Sequence, residues 1–137
     1  DNSIQLTVTS PPFLNIVDYG SDNWLRLWFN QLDKETIVSQ LTVPHSLEAW
    51  ATTMKQVFSE LFRVTWQGGF VVFEVGELQH GSIRLEETVL PIANQSGFIP
   101  RAVFLNKQQF TKTANIWGIK NNRHGTLTNR IVILEKP

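Results

Sequence analysis

The sequence Ile4-Gln5-Leu6-Thr7-Val8-Thr9 reads as a strand, and it stops at Ser10-Pro11-Pro12-Phe13. A turn needs at most one proline; two in a row make a stiff, extended peg. The four residues read either as a plain strand-ending turn or as groups placed for chemistry. An amine conjugated to an aromatic base is a poor nucleophile, because its lone pair is delocalised into the ring. Two acceptors on its N–H bonds favour the tetrahedral form that can take a methyl group. Ser10 offers a hydroxyl and Pro11 a backbone carbonyl, Pro12 stiffens the backbone that aims that carbonyl, and Phe13 offers a flat face for a flipped base.

Asp18 and Tyr19 follow the peg closely enough to be candidate substrate contacts. Glu74 and Glu77 flank Val75-Gly76, but no nucleophile or histidine accompanies them, so solvation at a strand end is the expected reading. His45, His80 and His124 lack ligand-like spacing and read as surface histidines. Residues 111–129 are long for a link between strands. They carry Lys112, Asn115, Trp117, Lys120, Asn121, Asn122 and Arg123 with no acid, and Arg130 follows. Such groups grip phosphate and read base edges. The alternative is a solvated hairpin.

The remaining elements must carry these groups to one place. Residues 21–31 predict a short helix capped by Ser21 or Asp22, with Trp24, Trp28 and Phe29 packed into the core. Residues 33–45 read as a connector. Residues 46–65 give a helix whose apolar stripe runs from Leu47 through Trp50, Met54 and Phe58 to Phe62, with Gly68-Gly69 ending the unit. A strand at 70–75, a loop over 76–82, a helix at 83–96 bent near Pro91, and strands at 102–107 and 129–136 follow. This order predicts an α/β fold with a mostly parallel sheet and an antiparallel last strand. Ligands of such sheets bind past the carboxyl ends of the strands, where Ser10 and Gly76-Glu77 lie.

The 137 residues favour one domain, and their 42% hydrophobic content allows a core. The absence of cysteine excludes disulfides and thiolate metal sites, and a cytoplasmic location is expected. No apolar run approaches the roughly 20 residues of a membrane span, so no membrane partner is expected. The opening residue is Asp1 rather than methionine, so the chain reads as a piece of something longer. The net charge is zero, but residues 1–100 hold five basic against eleven acidic side chains and residues 101–137 hold seven against one. That asymmetry suits an anionic partner, or mutual attraction of the two parts.

"TSPPF" resembles the catalytic motif of the amino-group DNA methyltransferases, in which Ser, Asp or Asn precedes Pro-Pro and an aromatic. The serine form is most typical of enzymes acting on the exocyclic amine of cytosine. "DNSIQLTVTSPPFLNIVDYGSDNWLRLWF", "FSELFRVTWQGGFVVFEVGE" and "FTKTANIWGIKNNRHGTLTNRIVILEK" also resemble, in order, the C-terminal half of bacterial members. The resemblance implies a Rossmann-like sheet of which this chain holds the fourth to seventh strands. It implies S-adenosylmethionine as methyl donor, with Ser10 beside it, DNA as substrate and no metal. The activity would be site-specific methylation of the restriction-modification kind. The Phe-x-Gly-x-Gly-type cofactor loop is not in these residues, so residues 1–137 are read as the catalytic portion alone. It would be completed by an N-terminal segment or by self-association. Two alternatives stay open: a non-catalytic module binding nucleic acid or a subunit, and methylation of RNA or a protein amide.

Overall fold

A computed structural model describes residues 1–12, 18–78, 82–107 and 128–137. The strand β1 (Ile4–Thr9) is followed by three short helices, α1 (Tyr19–Asp22), α2 (Trp24–Phe29) and α3 (Lys34–Gln40). The long helix α4 (Leu47–Val64) leads into β2 (Thr65–Val75). A small hairpin, β3 (Glu77–Leu78) with β4 (Ile83–Arg84), precedes α5 (Leu85–Gln95), and β5 (Ile99–Lys107) and β6 (Thr128–Glu135) complete the order.

Local chemistry explains the differences from the sequence reading. The helix expected over 21–31 starts earlier, because Asp18 is the cap that accepts from the Ser21 N–H, and it breaks at Asn23. The Asn23 side chain donates to the Tyr19 carbonyl at 2.9 Å, in competition with the backbone ladder. The expected connector holds α3, capped by Asp33 through the Thr36 N–H at 2.7 Å. None of its residues is buried, so it has no apolar stripe to betray it. Trp24, Trp28 and Phe29 are exposed rather than packed into the core, because only Leu27 of α2 turns inward. The expected loop at 76–82 holds β3, and the first two residues of the helix expected at 83–96 form its partner β4.

Helix α4 matches its stripe. Ser46 caps it by accepting from the Ala49 N–H, and Trp50, Met54 and Phe58 are buried. It gives way directly to β2, which runs through the glycines instead of starting after them. Ile4 of β1 pairs with Thr65, yet Leu6 pairs with Phe70, so β2 bulges between these points. The bulge needs glycine: Gly68 has φ +77°, and a Cβ on Gly69 would come within 2.9 Å of the Gln5 carbonyl oxygen.

The main sheet has the order β1-β2-β6-β5. The expectation of a mostly parallel sheet is corrected here: β1 and β2 are the one parallel pair, whereas β2–β6 and β6–β5 are antiparallel. Three strands do point the same way, and the last runs against them as expected. By inserting between β2 and β5, that last strand turns two of the three pairings antiparallel.

One face of the sheet is covered by α4 and α5. Val71, Phe73 and Val75 of β2 and Val132 and Leu134 of β6 pack there against Trp50, Met54, Phe58, Val89 and Ile92. The Phe58 and Phe73 rings lie 4.8 Å apart. Each such buried side chain contributes about 1.5–3 kcal/mol. The turn after α5 is held by Gly97 at φ +104°, with the Phe98 N–H returning to the Ala93 carbonyl. No helix among the described residues is long and apolar enough to cross a membrane.

Candidate functional site

The strand directions bring the carboxyl ends of β1, β2 and β5 to one edge of the sheet, together with the amino end of β6. Ser10, Pro11 and Pro12 leave β1 there, just beyond the Thr9–Phe73 pair. Ser10 and Pro12 are exposed and Pro11 is half-buried. The peg is tied to the core at one point: the indole Nε1 of Trp50 donates to the Pro12 carbonyl at 3.4 Å. Trp50 is 1% exposed, and a buried indole N–H seeks a partner. The sequence signal for this contact was a tryptophan on the inner stripe of α4.

A second cluster fills the same edge behind the peg. Arg130 is 6% exposed and lies between the carboxylates of Glu77 and Glu86. Its Nη1 donates to Glu77 Oε2 at 3.0 Å and to Thr128 Oγ1 at 2.6 Å, and Thr128 Oγ1 donates to the same Glu77 oxygen. Its Nε faces Glu86 Oε1 as a charge contact and not as a directed hydrogen bond. Asn129 Nδ2 donates to Glu74 Oε1 at 2.6 Å. Three consecutive residues of β6 are thus fastened to Glu74 of β2, Glu77 of β3 and Glu86 of α5.

This arrangement revises the reading of the acids. Glu77 was expected to be solvated, but it is only 8% exposed because Arg130 and Thr128 engage it. Arg130, expected to face nucleic acid, has its guanidinium turned inward between two carboxylates. Glu86 was missed altogether. It falls on the face of α5 shared with Val89 and Ala93, a spacing that marks a buried position. β1 and β6 flank β2, so at roughly 4.8 Å per strand the Arg130 cluster lies about 10 Å from the line of β1.

Asp18 and Tyr19 open α1. The Asp18 carboxylate accepts from Ser21 Oγ at 2.6 Å and Ser21 N at 3.0 Å. These bonds, the hydroxyl first, hold its pKa below the ordinary 3.8. Its observed role is therefore a helix cap. Tyr19 is half-buried. Phe13, Lys112, Asn115, Trp117, Lys120, Asn121, Asn122 and Arg123 lie outside the described residues, as do His80 and His124. No group of three potential metal ligands occurs among the described residues.

The fold is α/β with a mixed sheet, and its architecture recurs among solved proteins. A solved protein of similar fold is TTHA0409 of Thermus thermophilus, a candidate DNA modification methylase. Its selenomethionine form superposes with a TM-score of 0.57 at 20% identity, covering 99% of this chain and 46% of that one. A second form gives 0.55, 19%, 99% and 47%. The form complexed with S-adenosyl-L-methionine gives 0.57, 20%, 99% and 46%. The chain thus spans about half the length of the solved protein, and at this identity the likeness is one of fold. No family of known proteins and no curated protein matches the sequence.

Proposed function

We propose that the chain is the catalytic and DNA-contacting portion of a site-specific DNA methyltransferase acting on an exocyclic amine, that of cytosine. The observation that carries this reading is the position of Ser10-Pro11-Pro12 at the carboxyl end of a methyltransferase-like sheet, with the second proline's carbonyl held by Trp50. Ser10 Oγ and the Pro11 carbonyl accept the two N–H bonds of the target amine. They thereby draw its lone pair out of the ring and favour the tetrahedral nitrogen. Phe13 stacks on the extruded base, and Asp18 and Tyr19 border it on the next turn of chain. Lys112, Asn115, Trp117, Lys120, Asn121, Asn122 and Arg123 grip the nucleic acid. Arg130 serves them from within, by fastening the start of β6.

S-adenosylmethionine is the donor this chemistry requires; its sulfonium supplies an already activated methyl group. The glycine pair Gly68-Gly69 is not placed to cradle it. Gly68 and Gly69 lie at the far end of β2 from Ser10, and a Cβ on Gly69 meets the Gln5 backbone rather than open space. This chain's part is confined to the base and to Ser10's side of the donor. The same observation favours a second reading, a module that keeps the fold and binds nucleic acid without catalysis.

The test is a methylation assay on the longest product of the gene that carries these residues. DNA is incubated with donor labelled in its methyl group, then digested to nucleosides. N4-methylcytosine in wild type, lost in Ser10→Ala, supports the proposal. N6-methyladenine would correct the base, and no methylated base at all would leave the binding module standing.

A further inference from the structure

The chain leaves the sheet at Pro12 and re-enters the core at Trp50, and the bond between these two residues holds both ends of the excursion at the carboxyl edge. Helices α1, α2 and α3 lie in between. They brace one another. Lys34 Nζ donates to Ser21 Oγ at 3.1 Å, and a Cβ on Gly20 would come within 2.7 Å of the Lys34 and Val38 side chains. What this unit presents is therefore presented beside Ser10.

It presents aromatic rings. Leu27 is the inward residue of α2, and Leu25 and Phe29, two positions to either side of it, face away. Phe29 is 78% exposed and Trp28 70%. The chain turns back directly after them. The Leu32 N–H returns to the Leu27 carbonyl at 2.9 Å and the Gln31 N–H to the Trp28 carbonyl at 3.1 Å, while the Asn30 side chain donates to the Arg26 carbonyl. This closure places Gln31 at φ +55°, a conformation that glycine usually takes at a helix end. The fold thus holds a strained residue in order to put two large apolar side chains at a tip in water. Strain of this kind, beside a candidate site, points to a function for the tip.

We infer that the tip of α2 is a wedge for duplex DNA: as the target base is drawn out onto the peg, Trp28 and Phe29 enter the stack that it leaves. The inference rests on the proposed base extrusion and goes on to name the double helix as the form of the substrate. Extrusion breaks the stacking on both sides of a base, and a flat apolar side chain that takes the vacant place restores part of it. A single strand leaves no such slot between paired neighbours. Arg26 is the one charge on α2, and it suits the phosphate beside the slot. A protein partner fits less well. The exposed side chains of a six-residue helix fall short of the roughly 800 Å² per partner that stable protein interfaces bury.

The test is binding by the longest product of the gene that carries these residues, read by fluorescence anisotropy. Three probes share one sequence: an intact duplex, the same duplex with a single abasic site, and the single strand. The abasic site offers the slot ready made. Wild type is expected to bind the abasic duplex roughly tenfold more tightly than the intact one, as one restored base–aromatic stack allows. Trp28→Ala combined with Phe29→Ala should abolish that preference and leave the affinity for intact duplex within about twofold. Trp28→Phe combined with Phe29→Trp should keep it, and circular dichroism confirms the fold of each variant. A wild type without the preference overturns the wedge, as does an alanine variant that retains it. An alanine variant that retains the preference and falls apart from oligomer to monomer in light scattering assigns the tip to a protein partner instead. The assay does not read methylation. A protein that methylates nothing yet shows the preference loses only its proposed catalysis, and an active one without it loses only the wedge.

Discussion

Trp50 and Pro12 lie at opposite ends of the first connection of the fold, yet the indole of one holds the carbonyl of the other. The contact joins a buried residue in the first turn of α4 to the peg that ends β1. A core side chain thereby sets the direction of a backbone that was legible in the sequence only as a stiff tripeptide.

Replacing Trp50 with phenylalanine should remove this bond and leave a small void. The expected loss is about 1–3 kcal/mol of stability, measured by urea unfolding. On the proposed function, the same change in the complete protein should lower methylation turnover while DNA affinity stays near wild type. Unchanged turnover would mean that the prolines orient themselves.

If the proposed function holds, Ser10→Ala in the complete protein should slow single-turnover methylation far more than it weakens DNA binding. In the proposed reaction the hydroxyl acts on the amine only as it becomes tetrahedral. By analogy with one oxyanion donor, the loss is about 2.7–4 kcal/mol in the barrier. A near-normal single-turnover rate would remove Ser10 from the chemistry.

The 137-residue chain by itself should bind S-adenosylmethionine weakly or not at all. Titration calorimetry checks this directly. A dissociation constant in the micromolar range, roughly −8 kcal/mol of binding free energy, would mean that these residues build a donor site of a different kind.

Arg130→Met should destabilise the chain by about 3–5 kcal/mol, because it leaves the buried Glu77 and Glu86 without their cation. Its effect on DNA binding by correctly folded protein should be small, and the salt dependence of affinity should not lose the slope of one phosphate contact. A reduced slope with unchanged stability would return Arg130 to the nucleic-acid face.

Acid should loosen the short helices. Asp18 is held below its ordinary 3.8 by Ser21, hydroxyl before backbone, and Asp33 by the Thr36 N–H and then its hydroxyl. A depressed carboxyl contributes stability that is complete above the unfolded value and is lost as pH falls through the folded one. Helicity of α1 and α3 should therefore decline below 3.8, seen by circular dichroism. Asp33→Asn keeps the capping oxygen without the charge, so it should flatten the decline.

The sequence made some of this plain and hid the rest. α4 was readable because Trp50, Met54 and Phe58 recur at helical spacing, and β1 because its residues alternate. The peg was readable because two prolines admit few conformations. α3 was hidden because it buries nothing, and its existence rests on Asp33. The sheet order was hidden because pairing depends on which edge a late strand enters, a choice that no residue of β6 spells out. The bond between Glu77 and Arg130, 53 positions apart, became visible only once β6 was seated beside β2.

The insertion of β6 also bears on how the molecule is made. β5 touches the sheet only through β6, and β6 leaves the ribosome after every other described strand. Until it emerges, β5 has no partner strand among the described residues and the antiparallel half of the main sheet does not exist. The nascent chain therefore carries the finished β1–α4–β2 unit with β5 still waiting, a stage with unpaired strand edges that is open to mispairing or to a chaperone. Ribosome-arrested chains cut before residue 128 should be protease-sensitive across residues 99–107, and release of the β6 residues should close that window in one step.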